Sequence, residues 1–169
     1  MKFSLESIAN AAIIIICVLL LAQFVRRHDF FGKGPSQDTA SSLTGTTLAS
    51  LQEYRWSDHD KTLVLALQVG CHYCEASMPF YGRLAQLQQS HRIHPNLLAL
   101  MPDENASGTQ VLKSFGVDIA CACGHPLSSM HIAGTPTLLL VNAQGRVERV
   151  WEGQLPSSGE NEVIAELEK

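Results

Sequence analysis

Two cysteines at the junction of a strand pattern and a helix pattern constrain this chain more than any other feature. The apolar run 62–69 is short, is closed by Gly70, and predicts a buried strand. Directly after it comes the sequence Cys-His-Tyr-Cys at 71–74, and apolar residues at helical spacing then predict a helix over 74–90. A cysteine at a helix N-terminus faces unpaired backbone N–H groups, which stabilise a thiolate. The pattern therefore predicts a reactive first thiol with a second thiol one turn further on.

This pair of thiols is compatible with three kinds of chemistry. In dithiol–disulfide exchange, Cys71 would attack and Cys74 would resolve the mixed disulfide. A Cys-x-x-Cys pair is also often half of a zinc site, or a structural disulfide in an oxidising compartment. The position between a strand and a helix favours the redox interpretation.

A long apolar run near the N-terminus predicts contact with a membrane. Residues 8–25 are nearly continuously apolar, and a helix of that length crosses a hydrocarbon core. A cleaved signal peptide is the alternative, but Ala22 is the single small residue at the end of the run, which favours an uncleaved anchor. We predict a single-pass anchor over 1–27, a flexible linker over 28–47 and a folded domain over 48–169.

The charges around this run give conflicting indications of orientation. Lys2 precedes the run and Arg26 and Arg27 follow it, so the positive-inside rule leans toward a cytoplasmic domain. A first hydrophobic segment commonly directs export of the chain after it, however, and paired cysteines suit an oxidising compartment. We predict a cell-membrane protein whose soluble domain lies outside the cytoplasm. The net charge of -4 argues against a nucleic-acid partner.

Strand and helix patterns alternate through the remainder of the chain. A second strand is predicted over 95–101, a helix over 104–115 and a third strand over 137–141. The sequence Asn-Ala-Gln-Gly at 142–145 predicts a hairpin turn before a returning strand, and a final helix ends near Leu167. This order predicts an α/β domain in which helices flank a mixed central sheet.

The predicted layout resembles the thioredoxin fold, and three motifs carry the resemblance. They are the Cys-His-Tyr-Cys sequence after a strand, Pro79 five residues beyond the second cysteine, and the sequence Gly-Thr-Pro-Thr at 134–137 opening an apolar strand. The resemblance covers residues 61–169. Together with the predicted anchor, it extends to the membrane-tethered thioredoxin-like proteins of the bacterial envelope.

The resemblance implies disulfide exchange with the cysteines of other proteins and no organic cofactor. Cys71 would be the attacking thiol and Cys74 the resolving thiol. Pro136 would follow a cis peptide bond beside the cysteines, and Thr135 would offer its backbone to a bound peptide. His72 would favour the thiolate, and Tyr73 resembles the residue at this place in some envelope disulfide isomerases.

Two positions depart from the thioredoxin pattern. Gly70 stands where family members often have a tryptophan, and Leu65 stands where thioredoxins have a buried acid. That acid assists proton transfer from the resolving thiol, so its replacement argues against a fast general reductase. The direction of electron flow, the redox partner and the substrate stay open.

A second cysteine pair, Cys121 and Cys123, lies in the segment 118–132. We predict that this segment is an insertion beside the active site, because it immediately precedes the proline motif. We interpret the pair as an auxiliary redox pair that exchanges electrons with the first pair. A structural disulfide is one alternative, and a Cu(I) or Zn(II) site that includes His72 and His125 is another.

Two other functions are compatible with the same residues. A copper metallochaperone would use the cysteines as metal ligands, and metal-dependent protection of the thiols would identify it. A non-catalytic thioredoxin-like module would bind a partner without exchange, and substitution of Cys74 would then leave its function unchanged.

Overall fold

The computed structural model describes residues 42–48, 51 and 54–169. All of them lie in the compact unit Pro35–Lys169. The predicted anchor over 1–27 and most of the predicted linker lie outside these residues. Within the described part of the chain, no helix is long and apolar enough to cross a membrane.

A five-stranded mixed sheet forms the centre of the domain. Its strands, in chain order, are β1 (Lys61–Ala66), β2 (Asn96–Met101), β3 (Ala120–Cys123), β4 (Thr137–Asn142) and β5 (Val147–Glu152). Their order across the sheet is β3-β2-β1-β4-β5. β1, β2 and β3 are parallel, β4 is antiparallel to β1, and β5 is antiparallel to β4. Residues 63–66 of β1 form a continuous apolar run because the strand is central and both of its faces are covered.

Three helices, α1 (His72–Gln89), α2 (Asn105–Ser114) and α3 (Ser157–Leu167), contribute to the core on one face of the sheet. Alternate residues of the strands point to this face, as the two-residue period of a strand requires. The core there joins residues of the helices to residues of β1, β2 and β4: Tyr81, Leu84, Leu112, Val163 and Leu167 with Leu63, Leu65, Leu97, Ala99, Leu138 and Leu140.

The opposite face of the sheet is covered by the N-terminal part of the described chain and by a 3₁₀ turn, Leu127–Met130. Leu43, Leu48 and Leu51 are buried there, and Thr47 forms an isolated bridge with Arg146. Leu43 is 1% exposed although it falls within the predicted linker. The packed part of the chain therefore begins before the predicted boundary at residue 48.

The main difference from the sequence prediction is β3. The segment 118–132 is predicted as an insertion, but residues 120–123 form the edge strand of the sheet beside β2. Four residues of alternating alanine and cysteine are too few and too weakly apolar to give a strand pattern. The strand at Thr137–Asn142 is therefore the fourth strand and not the third.

Candidate active site

Cys71 occupies the N-cap position of α1. Its Sγ accepts a hydrogen bond from the backbone N–H of Cys74 at 3.2 Å. This N–H is one of the donors that a helix N-terminus leaves without an intrahelical partner. A thiolate on Cys71 gains more from that bond than a neutral thiol does, and the positive end of the helix dipole acts in the same direction.

The two cysteines of the motif differ in exposure. Cys71 is half-buried, whereas Cys74 on the inner face of α1 is 0% exposed. Their sulfurs form a disulfide, and their Cα atoms are 5.2 Å apart. An external sulfur can therefore approach Cys71 but not Cys74.

The proline motif meets Cys71 from the start of β4. The peptide bond between Thr135 and Pro136 is cis, as the thioredoxin resemblance implies. The carbonyl oxygen of Thr135 lies 3.5 Å from Cys71 Sγ, and the Thr135 hydroxyl donates to the same sulfur at 3.4 Å. The structure thus brings together the two segments that the sequence identified separately.

His72 and Tyr73 lie on the surface next to Cys71. Both are exposed, Tyr73 by 59%, and their rings meet edge to face with centroids 5.6 Å apart. The Tyr73 carbonyl accepts a bond from the Ser77 hydroxyl at 2.8 Å, one turn further along α1. An exposed aromatic ring beside a reactive sulfur offers apolar contact area to an incoming chain.

Asp103 is a residue that sequence reasoning missed. It follows β2, and its Oδ2 accepts a hydrogen bond at 2.9 Å from the backbone N–H of Val69, two residues before Cys71. β1 and β2 are parallel, so their carboxyl ends lie at the same edge of the sheet. A carboxylate two residues after the second strand was the available sequence signal for this contact.

The position that holds a buried acid in thioredoxins is occupied here by Leu65, which is 0% exposed. This position therefore supplies no proton acceptor for Cys74. Tyr81, two turns after Cys74, is the buried titratable residue of α1. Burial raises the pKa of Tyr81 to about 12, partly offset by the hydrogen bond with Ser77. Tyr81 is therefore neutral at physiological pH and supplies no base. Glu75, next to Cys74, is exposed.

The second cysteine pair lies at a different place. Cys121 and Cys123 form a disulfide within β3, with Cα atoms 5.4 Å apart. Cys121 is in register with Ala99 of β2, which in turn is in register with Leu65 of β1. Two strand spacings, about 10 Å, therefore separate the strand of the second pair from β1.

Gly108 of α2 lies directly above this second pair. A Cβ atom at Gly108 would stand 2.7 Å from Cys123 Sγ, 3.1 Å from Met101 Sδ and 3.7 Å from Cys121 Sγ. A glycine at this position makes room for the two sulfurs. This role depends on the packing of α2 over β3, which the sequence around Gly108 does not predict.

Among residues 42–48, 51 and 54–169, no group of three or more His, Cys, Asp and Glu side chains is arranged to hold a metal ion. The metal site considered from the sequence combined the two cysteine pairs with His72 and His125. These side chains form no such group among the described residues.

Several solved structures resemble this domain. They include a thiol-disulfide isomerase from Corynebacterium glutamicum (TM-score 0.52, 16% identity, covering 80% of this chain and 86% of that one). A thiol:disulfide interchange protein of the DsbE type from Chlorobium tepidum has a TM-score of 0.53 at 18% identity, with 69% and 84% covered. The thioredoxin domain of a Bacteroides vulgatus thiol-disulfide oxidoreductase has a TM-score of 0.53 at 15% identity, with 75% and 93% covered.

These likenesses establish that the chain has a thioredoxin-like α/β fold, as its sequence predicted. No protein-family model matches the sequence, and no curated protein matches it.

Proposed function

We propose that this protein is a membrane-anchored thiol–disulfide oxidoreductase that exchanges disulfides with protein cysteines outside the cytoplasm. The observation that carries the proposal is the asymmetry of the first pair. Cys71 is half-buried at the N-cap of α1, in contact with Thr135, whereas Cys74 is 0% exposed. One reachable sulfur and one protected sulfur are what a two-step exchange needs.

The exchange begins with the reduced pair. The Cys71 thiolate attacks one sulfur of a substrate disulfide, the substrate S–S bond breaks, and a mixed disulfide forms. The Cys74 sulfur then attacks Cys71 Sγ, and the Cys74 proton ends on the substrate sulfur that departs. The substrate leaves as a dithiol, and the Cys71–Cys74 disulfide holds the oxidising equivalents. The same steps in reverse oxidise a substrate dithiol, and the relative reduction potentials set the direction.

The surroundings of Cys71 support binding of an extended peptide. The Thr135 carbonyl lies 3.5 Å from the attacking sulfur, so a substrate chain beside the mixed disulfide runs along this backbone. His72 and Tyr73 are exposed next to Cys71. Backbone contacts together with an exposed aromatic surface tolerate many substrate sequences.

A trapping experiment tests the assignment of the two cysteines. Reduced Cys74→Ala and Cys71→Ser variants of the full chain are incubated with insulin as the disulfide probe, and adducts are resolved on non-reducing gels. Cys74→Ala should accumulate at least about tenfold more adduct, since its attacking thiol is reachable and its resolving thiol is gone. Equal trapping by both variants would contradict the proposal. Both variants retain Cys121 and Cys123, so the second pair contributes equally.

The membrane part of the proposal rests on the apolar run 8–25. Extraction of membranes at alkaline pH should leave the full chain in the membrane fraction and release a variant that lacks residues 1–27. Alkaline phosphatase fused after Lys169 should be active, because it folds outside the cytoplasm. Release of the full chain or an inactive fusion would count against the anchor or its orientation.

A further inference from the structure

A second cysteine pair stands apart from the site just described. Cys121 and Cys123 occupy alternate positions of β3, so both side chains point to the face that α2 covers. We infer that the Cys121–Cys123 disulfide is a second, separate thiol–disulfide site, and that its substrate is the dithiol of another protein. This inference goes beyond the function proposed for Cys71 and Cys74 and does not depend on it.

The position of β3 makes the second pair independent of the first. β2 lies between β3 and β1, and the buried Met101 at the end of β2 lies next to the space above Cys123. Sulfur–sulfur exchange requires direct contact of the reacting atoms. A protein dithiol that comes from outside is therefore a better match to this geometry than internal exchange with Cys71.

An incoming protein can reach the second pair from the edge of the sheet. Both cysteines are half-buried rather than enclosed. β3 also borders a cleft of about 300 Å³, which Tyr54 and Leu98 line on the face opposite α2. β3 is the last strand of the sheet on this side, so its outer edge has no strand partner among the described residues. Such an edge accepts an extended peptide through backbone hydrogen bonds.

The second disulfide has little to contribute as a structural link. A cross-link stabilises a fold mainly by shortening the unfolded chain, and the effect grows with the length of the closed loop. Cys121 and Cys123 are two residues apart, so they close one of the shortest loops possible. β3 is already held to β2 through a four-residue parallel register. A reversible redox role accounts for the pair better than a structural role does.

The reaction balances with a dithiol partner. A partner thiolate attacks one sulfur of the disulfide, the Cys121–Cys123 bond breaks, and the other cysteine leaves as a thiolate. The partner's second thiolate then attacks the partner sulfur of the mixed disulfide. The partner leaves as a disulfide and this chain retains two reduced cysteines. Two electrons pass to this chain, and the two protons of the partner thiols pass to Cys121 and Cys123 through solvent.

The test uses the full chain in mild detergent with Cys17→Ser, Cys71→Ser and Cys74→Ala, which leaves the second pair alone. The probes are reduced thioredoxin as a protein dithiol and glutathione at the same thiol concentration. Thiols are counted by alkylation with a maleimide polymer under native conditions. Thioredoxin should release two thiols per chain at least about tenfold faster than glutathione, because its second thiol acts within the mixed disulfide.

Two outcomes would overturn the inference. One is a second pair that resists both probes until the chain is unfolded by denaturant. The other is loss of the cooperative thermal transition when the pair is reduced, which would mark a structural disulfide.

The unsubstituted chain provides a second measurement that needs no altered cysteine. In a glutathione redox series it should take up four electrons per chain, and an uptake of only two electrons would also overturn the inference. A matched variant with Cys17→Ser, Cys121→Ser and Cys123→Ser retains the first pair alone. It reports on the function proposed for Cys71 and Cys74, so a failure of one site is distinguishable from a failure of the other.

Discussion

The carboxylate of Asp103 accepts a hydrogen bond from the backbone N–H of Val69 at 2.9 Å, which joins the end of β2 to the loop that carries Cys71. The carbonyl of the same aspartate accepts a bond at 2.8 Å from the N–H of Gly124, the residue after Cys123. One residue therefore contacts the loop of the first cysteine pair through its side chain and the end of β3 through its backbone.

Removing this side chain should loosen the loop before Cys71. Asp103→Ala leaves the Val69 N–H to water, and we expect a loss of about 1 kcal/mol in the free energy of unfolding. Asp103→Asn retains an oxygen acceptor and is the matched control. Urea unfolding of the three proteins measures the effect, and equal loss in both variants would assign it to charge rather than to the bond.

The second prediction compares the effect on stability of an alanine at Gly108 with that of an alanine at a control glycine, Gly82. Gly108→Ala places a Cβ 2.7 Å from Cys123 Sγ and 3.1 Å from Met101 Sδ, and overpacking of this kind costs about 1–3 kcal/mol. Gly82 lies in α1 with open space around the position of a Cβ. Gly82→Ala should instead stabilise the helix by up to about 1 kcal/mol. Opposite shifts of the urea midpoint are expected, and a stabilised Gly108→Ala variant would show that the sulfurs move aside easily.

Much of the first site was predictable because its chemistry lies in short motifs at element boundaries. A buried apolar strand followed by a helix places Cys71 at the N-cap, whatever the rest of the fold does. Contact between Thr135 and Cys71 was predictable only through the resemblance to thioredoxins, since 64 residues separate them.

The second site was not predictable in the same way. β3 is four residues long, and its place in the sheet depends on pairing with β2 rather than on its own pattern. Gly108 and Asp103 acquire their roles when α2 lies over β3 and when two strand ends meet. Sequence spacing does not report such contacts between distant segments.

The Thr135 hydroxyl gives a third prediction, on reactivity rather than stability. It donates to Cys71 Sγ at 3.4 Å, and a donor of this kind favours the thiolate form. Thr135→Val should therefore slow the alkylation of reduced Cys71 by iodoacetamide at neutral pH by roughly fivefold, the equivalent of one hydrogen bond of about 1 kcal/mol. Thr135→Ser retains the hydroxyl and should react at nearly the original rate. Equal slowing in both variants would show that the hydroxyl is not the cause.

Ionisation of Tyr81 should make the free energy of unfolding depend on pH in the alkaline range. Burial raises its pKa from 10.0 to about 12, because the interior disfavours the phenolate. The folded-state pKa is above the unfolded value, so this contribution to stability is fully present below pH 10 and disappears as the pH rises through about 12. Two pKa units correspond to roughly 3 kcal/mol.

Tyr81→Phe should remove this part of the alkaline destabilisation, measured as the free energy of unfolding against pH. In the folded protein, the ultraviolet absorbance of phenolate should show one late-titrating tyrosine that the variant lacks. A variant whose alkaline profile matches that of the unsubstituted chain would assign the destabilisation to other groups.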